Sequence, residues 1–262
     1  MEIPLYQIDA FASELFQGNP AAVCPLNEWL PDDLMQSIAS ENNLSETAFF
    51  VPVGDRFHIR WFTPVSEVDL CGHATLAAAY VLFTNLGYDR ERIAFDSRSG
   101  ILSVSRDSDW LTLDFPAQPP VSCSIPNEIA QAFHVIPIEC LRSEDYIVVF
   151  EHEDHIEQAD PDYLHLMKLD LRGVIITSRS RRWDFVARFF APKFGVFEDP
   201  VTGSAFTQLA PYWAEKLSKQ QFAARQVSAR GGDVRCEIVG DRVLISGKAV
   251  TYLEGTFRIP EK

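Results

Sequence analysis

Asp199-Pro200-Val201-Thr202-Gly203-Ser204-Ala205 opens an apolar run from Phe206 to Trp213, broken by Thr207, Gln208 and Pro211. Asp, Thr and Ser suit helix N-caps because their oxygens accept the free first-turn N–H groups. Gly203 leaves the backbone bare, so a ligand can approach it closely. A helix that opens this way offers N–H donors and partial positive charge to an anion; the plain alternative is an ordinary capped helix. A second stretch, Asp69-Leu70-Cys71-Gly72-His73-Ala74-Thr75-Leu76, is also a small-residue turn running into an apolar helix.

Working outward, the helix begun at Cys71-Gly72-His73 runs to Leu86 and stops at Gly87. Ala77 to Phe83 leaves it no polar face, so it must be buried on all sides. Strands are expected on either side: Ile3–Phe11, Ala21–Cys24, Ala48–Val53, Phe57–Thr63, Ile93–Asp96, Gly100–Arg106 and Trp110–Phe115. His58 falls on the outer face of its strand, and Pro64 to Asp69 reads as a loop. A helix enters at Pro31 and ends at Asn43. The second half repeats the order, with helices at Ile125–Phe133 and Pro161–Lys168. Its strands are Tyr146–Phe150, Gly173–Thr177, Asp184–Phe190, Gln226–Ala229, Val234–Val239 and Arg242–Leu253. Each half is strands, a small-residue turn, a buried helix, then strands. Proline-dense Pro116-Ala117-Gln118-Pro119-Pro120 is a stiff connector. The expected organisation is α+β in two similar lobes, 1–115 and 116–250, with about 250–262 returning to complete the first and an active cleft between them.

The bulk numbers exclude several classes. The chain has 262 residues, 47% apolar and 23% charged, as for a globular protein with a real core. Net charge is −14 and the pI about 4.8, so nucleic acid and anionic membrane are poor partners. The start has no basic, then apolar, leader pattern. Cys24, Cys71, Cys123, Cys140 and Cys236 are odd in number without paired metal spacing, and are read as reduced thiols of a cytoplasmic protein.

Chemistry enters at Leu44-Ser45-Glu46-Thr47. Glu46 lies at a helix-to-strand junction beside apolar residues, which makes it either a solvated loop glutamate or a partly buried general base. If the two central helices face each other by their N-termini, their N–H groups hold a carboxylate. Glu46 then moves a proton while His73 and Asp199 orient polar groups or tune the base. The outcome is isomerisation, tautomerisation or epimerisation without a cofactor. Competitors are weak: there is no Gly-x-Ser-x-Gly elbow and no Walker or Rossmann glycine pattern. Cys71 and His73 are not a catalytic pair of known spacing. Glu151-His152-Glu153-Asp154-His155 and Arg179-Ser180-Arg181-Arg182 read as solvated surface, and no metal site is expected.

At these residues the chain resembles the phenazine-biosynthesis F (PhzF-like) family, relatives of diaminopimelate epimerase. The resemblance rests on Asp9-Ala10-Phe11, Gly18-Asn19-Pro20-Ala21-Ala22-Val23, Asn43-Leu44-Ser45-Glu46-Thr47-Ala48-Phe49, Arg60-Trp61-Phe62-Thr63-Pro64, the two helix-opening stretches, Arg188-Phe189-Phe190-Ala191-Pro192 and Ser228-Ala229-Arg230-Gly231-Gly232. It implies two pseudo-symmetric lobes, each a barrel-like, mostly antiparallel sheet around a central helix, and a homodimer. It implies that Glu46 shuttles a proton, and that Ser45, Gly72, His73, Asp199, Gly203 and Ser204 bind a small anionic metabolite. Many relatives carry His where this chain has Phe206. Diaminopimelate epimerase uses a cysteine at each helix start, whereas here only Cys71 stands in such a position. Two alternatives stay open: a binding protein of the same fold without catalysis, and a one-thiol racemase using Cys71 with Glu46.

Overall fold

Strands form where aromatic and β-branched residues alternate with polar ones, and the helices between them bury what the sheets leave uncovered. The computed structural model describes residues 1–259 and divides into two compact units. The first holds residues 1–114 and the chain from Ser246 onward. β1 (Glu2–Ala10) pairs antiparallel with β2 (Asn19–Pro25). α1 (Asp32–Asn42) then crosses over to β3 (Glu46–Val53), parallel to β2. Asn43 ends α1 in the left-handed conformation, φ 48°, while Pro31 stands one residue before the first turn instead of in it. β4 (Arg56–Phe62) pairs antiparallel with β3 and with a short β5 (Glu67–Val68), which lies within the expected loop. His58 on β4 is packed edge-on against Trp29, ring centroids 5.1 Å apart. α2 (Gly72–Thr84) follows, then β6 (Arg92–Ser97) parallel to β4, β7 (Gly100–Asp107) and β8 (Trp110–Pro116). Ten residues of α2 between His73 and Phe83 are buried, leaving only Tyr80 of that span partly open.

The second unit is Phe115–Ile245. It begins with β9 (Val121–Ser122), α3 (Asn127–Ala132), β10 (Glu139–Arg142) and β11 (Tyr146–Val149). Next come α4 (Glu153–Glu157), α5 (Tyr163–Leu166), β12 (Val174–Arg179), β13 (Phe185–Ala191) and β14 (Val196–Asp199). α6 (Gly203–Leu217), β15 (Gln221–Gln226) and β16 (Gly232–Val239) follow. Pairing repeats that of the first unit. β2–β3 is parallel, β3–β4 antiparallel, β4–β6 parallel and β6–β7 antiparallel. β11–β12, β12–β13, β13–β15 and β15–β16 follow the same sequence of senses. Each unit therefore carries parallel pairs as well as antiparallel ones.

The duplication reaches side chains. Arg60 on β4 grips Glu67 on β5 with both arms, at 2.7 and 2.8 Å, and lies 5.1 Å over the Phe62 ring. Arg188 on β13 grips Glu198 on β14 at 2.6 and 2.9 Å and lies 5.1 Å over Phe190. Both glutamates stand five residues before the first glycine of a central helix. Fork-to-carboxylate bonding fixes direction as well as distance, so each clamp sets how the chain enters α2 or α6. The Arg60 fork also holds the Glu67 carboxyl below its usual range, chiefly by hydrogen bonding.

Three further expectations fail, each for a visible reason. The strand expected at Gln226–Ala229 lies earlier, because Phe222, Ala224 and Gln226 are the buried side of β15. Ser228 instead closes a turn, its Oγ accepting from Gly231 N–H at 3.1 Å. The strand expected at Arg242–Leu253 breaks into β17 (Arg242–Gly247) and β18 (Ala249–Arg258). At the break Gly247 lies against the Phe11 ring, where a Cβ would come within 2.3 Å, and Lys248 C=O accepts from Ala12 N–H. β18 then pairs with β1 from Ala249 to Arg258; residues 260–262 of the expected closing segment lie outside the described residues. Finally, the acidic and basic runs are not simply solvated: Glu153 is buried and accepts from Ser180 Oγ and Arg181 N–H at 2.7 and 3.1 Å. No helix of the described residues is long and apolar enough to cross a membrane.

Candidate active site

Glu46 is the first residue of β3, and its position follows from the strand that starts there: Glu46 pairs with Ala21 and Thr47 with Ala22 in the parallel β2–β3 ladder. α2 starts at Gly72 after Cys71, so His73 stands in its first turn. Glu46 Oε2 and His73 Nε2 lie 3.0 Å apart, with the carboxylate 18% exposed and the imidazole 6%. The approach is off the hydrogen-bond line, and neither buried atom has another hydrogen-bond partner among the described residues. A carboxylate oxygen is thus held beside the imidazole and away from bulk water.

The other ring nitrogen faces a relay. Asn19 Nδ2 is 3.2 Å from His73 Nδ1, and Ser45 Oγ donates to Asn19 Oδ1 at 3.1 Å. In this arrangement Nδ1 accepts, so a neutral ring carries its proton on Nε2, toward Glu46. Asn19 has no exposed surface. Gly18 before it has φ 66°, and a Cβ there would come within 2.1 Å of Ala10 C=O, so the turn that delivers Asn19 requires glycine.

Cys71 Sγ lies 3.6 Å from His73 Nδ1. Burial, then the charge of Glu46, pushes the thiol up, while His73 opposes them. Burial alone would lower the His73 pKa, but its contacts with Cys71 and Glu46 outweigh it and hold the imidazole well above its ordinary value; with the Cys71 thiol protonated, Glu46 is the negative partner. The charged ring is therefore favoured by the fold. Its stabilising effect is complete below the unfolded value of about 6.5 and is lost as pH rises through the higher folded value. Nitrogen-15 NMR should show His73 still protonated at pH 7.5, and His73→Phe should flatten that part of the stability–pH curve. A native His73 ring neutral at pH 6.5 would contradict this. Glu46, Cys71 and His73 also present donor atoms within 4.8 Å of one another, a set of types that zinc accepts. The sequence spacing did not reveal that convergence.

In the second unit, Asp199 ends β14 and Thr202 is the N-cap of α6. Thr202 Oγ1 donates to Asp199 Oδ2 at 2.5 Å, and the buried Gln226 side chain ties both ends of the turn. Its Oε1 accepts from Thr202 N–H at 2.9 Å and its Nε2 donates to Asp199 C=O at 2.6 Å. The Thr202 side chain does not bond into the first turn it precedes, so the helix start at Gly203 is not closed by its own cap. Ser204 is one residue into α6, and its Oγ accepts from Arg172 Nη2 at 3.0 Å. Phe206 is fully buried and packs on Phe185, ring centroids 6.2 Å apart. Asn19, Gln226, Arg172 and Asp145 were not singled out in the sequence as site residues. Only the Gly18-Asn19-Pro20 turn gave any signal.

The sequence pattern of phenazine biosynthesis-like proteins matches residues 8–255. A Pseudomonas aeruginosa protein named as an uncharacterized isomerase is 51% identical over 99% of this chain and 100% of its own length. The crystal structure of a PhzF-family protein from Enterococcus faecalis superposes with a TM-score of 0.97 at 45% identity, covering 99% of this chain and 100% of that one. A hydroxyproline epimerase from Agrobacterium vitis shares the fold at TM-score 0.62 and 9% identity, over 97% and 92% of the two chains.

Proposed function

The chain belongs to the phenazine biosynthesis-like protein family, and from that membership we propose that it is an isomerase that moves a proton between carbons of a small carboxylated metabolite. The isomerase names of its relatives support the reaction class. The observation that carries the mechanism is the buried Glu46 oxygen, 3.0 Å from His73 and without another partner among the described residues. Glu46 takes a proton from a carbon beside an electron-withdrawing group. The C–H pair moves into the adjacent π system, and the carboxyl returns the proton to another carbon. Atoms and electrons balance without an oxidant, a reductant or a cofactor. The His73 charge stabilises the anion that forms, and Asn19 with Ser45 keeps the ring in register through the cycle. The Gly72 N–H at the start of α2 serves as a contact for a polar group of the metabolite, and in the second unit the Gly203 N–H, Asp199 and Ser204 offer polar contacts of their own. The test is a panel of unsaturated, amino and hydroxy acids incubated with the purified chain and no additive. A product of unchanged mass and new retention time supports the reading; turnover only with an added redox cofactor contradicts it.

The racemase alternative needs Cys71 as a base, and burial together with the Glu46 charge disfavours its thiolate. Cys71→Ser is accordingly expected to keep turnover within about tenfold of the native chain, well short of what losing a positioned acid–base group costs. A loss as large as that of a Glu46 variant, measured on the same product, would restore the thiol to the mechanism.

A further inference from the structure

Asp145 is a fully buried acid that the proton-transfer chemistry leaves unused. Its carboxylate takes two arms of Arg172, Nε at 2.9 Å and Nη2 at 2.6 Å. It also accepts from Gln208 Nε2 at 2.7 Å, and Gln208 Oε1 accepts from Asp145 N–H at 3.1 Å. Gln208 belongs to α6, so the acid is keyed to the helix that begins at Gly203. A carboxylate buried this completely persists only when its oxygens are paired. The neighbouring backbone is shaped to allow it. A Cβ at Gly173 would come within 2.7 Å of the Phe189 ring and 2.8 Å of Phe190 C=O. Arg172 lies 5.3 Å over that same Phe189 ring.

The clamp delivers one further bond, Arg172 Nη2 to Ser204 Oγ at 3.0 Å. A guanidinium only donates, so the serine oxygen is the acceptor and its own hydrogen must seek another acceptor. We infer that Arg172, held by Asp145, is a positioning residue that turns the Ser204 hydroxyl into a donor for an anionic oxygen of the ligand. The inference rests on the carboxylated-metabolite reading above. Arg172 acts through the hydroxyl and not as a free cation, because Asp145 and Glu144, at 2.6 and 3.1 Å, already offset its charge. Losing Arg172 and losing the Ser204 hydroxyl should therefore cost the same thing once.

Benzoate and its neutral counterpart benzamide are the probes, titrated calorimetrically into the full chain. Asp145→Asn with Arg172→Gln removes the buried acid and its half-buried partner charge together, which guards against misfolding; a thermal melt checks each variant. The native chain should bind benzoate. The paired variant and Ser204→Ala should each weaken it by about tenfold or more, the worth of a charge-assisted hydrogen bond. The triple variant should be no weaker than either, Arg172→Lys should recover part of the affinity, and benzamide should change less than about twofold, having no anionic oxygen to reward. Three results would each overturn the assignment: no benzoate binding by the native chain, unchanged binding in the paired variant, or losses that multiply in the triple variant. Proton exchange plays no part in this readout, so its failure leaves Glu46 untouched, and failure of the Glu46 chemistry leaves these affinities standing.

Discussion

Replacing Glu46 by glutamine is expected to lower turnover roughly 10²–10⁴-fold, the usual worth of a positioned acid–base group. The substitution keeps the size of the side chain and its place at the start of β3, so folding should change little. It removes the negative partner 3.0 Å from His73, and the imidazole pKa should fall toward its ordinary value. Loss of activity and the fall of the His73 titration are thus linked outcomes of one change, measurable by product formation and by nitrogen-15 NMR. A variant with native turnover would remove Glu46 from the mechanism, whatever became of His73.

Phe206→Ala should destabilise the chain by about 3–5 kcal/mol, the range for truncating a buried aromatic ring. Phe206 has no exposed surface. It meets Phe185, which stacks on Trp213 at 5.5 Å with an interplanar angle of 8° and also touches Phe222 at 5.9 Å. The cavity would open inside this cluster, and urea unfolding followed by tryptophan fluorescence reads the loss of stability. A loss below about 1 kcal/mol would mean that the cluster closes over the gap, at odds with its packing. In the volume-conserving variant Phe206→Leu, ligand affinity should stay native, because the side chain faces the core.

How much of this was legible depended on the distance over which each feature acts. The burial of α2 could be read from Ala77 to Phe83, since a helix without a polar face has no other stable place. The end of α1 could be read from Asn43, whose φ of 48° is a local property, whereas α2 stops at Thr84 with Asn85 as its cap, short of the expected Leu86 and Gly87. Glu46 and His73 could be picked out by their neighbours, but their contact could not. The pairing order of the two units was foreshadowed only as a vague repetition. The Arg60–Glu67 and Arg188–Glu198 clamps were hidden because a charged residue on a strand looks like surface until its partner is known. Asn19 meets His73 across 54 positions, and Asp145 meets Arg172 across 27 and Gln208 across 63. Such polar contacts are specified by the folded sheet and carry no periodic trace. Gln226 shows the same difficulty in reverse: an amide at the edge of an expected strand proved to be the buried tie between Asp199 and Thr202.

The most direct measurement is deuterium uptake from heavy water into a carboxylate substrate, followed by mass spectrometry for the native chain and for Glu46→Gln. The native chain should incorporate deuterium at carbon, and Glu46→Gln should bind the same compound and incorporate none above background. Uptake by Glu46→Gln at the native rate would contradict the assignment of Glu46 as the base.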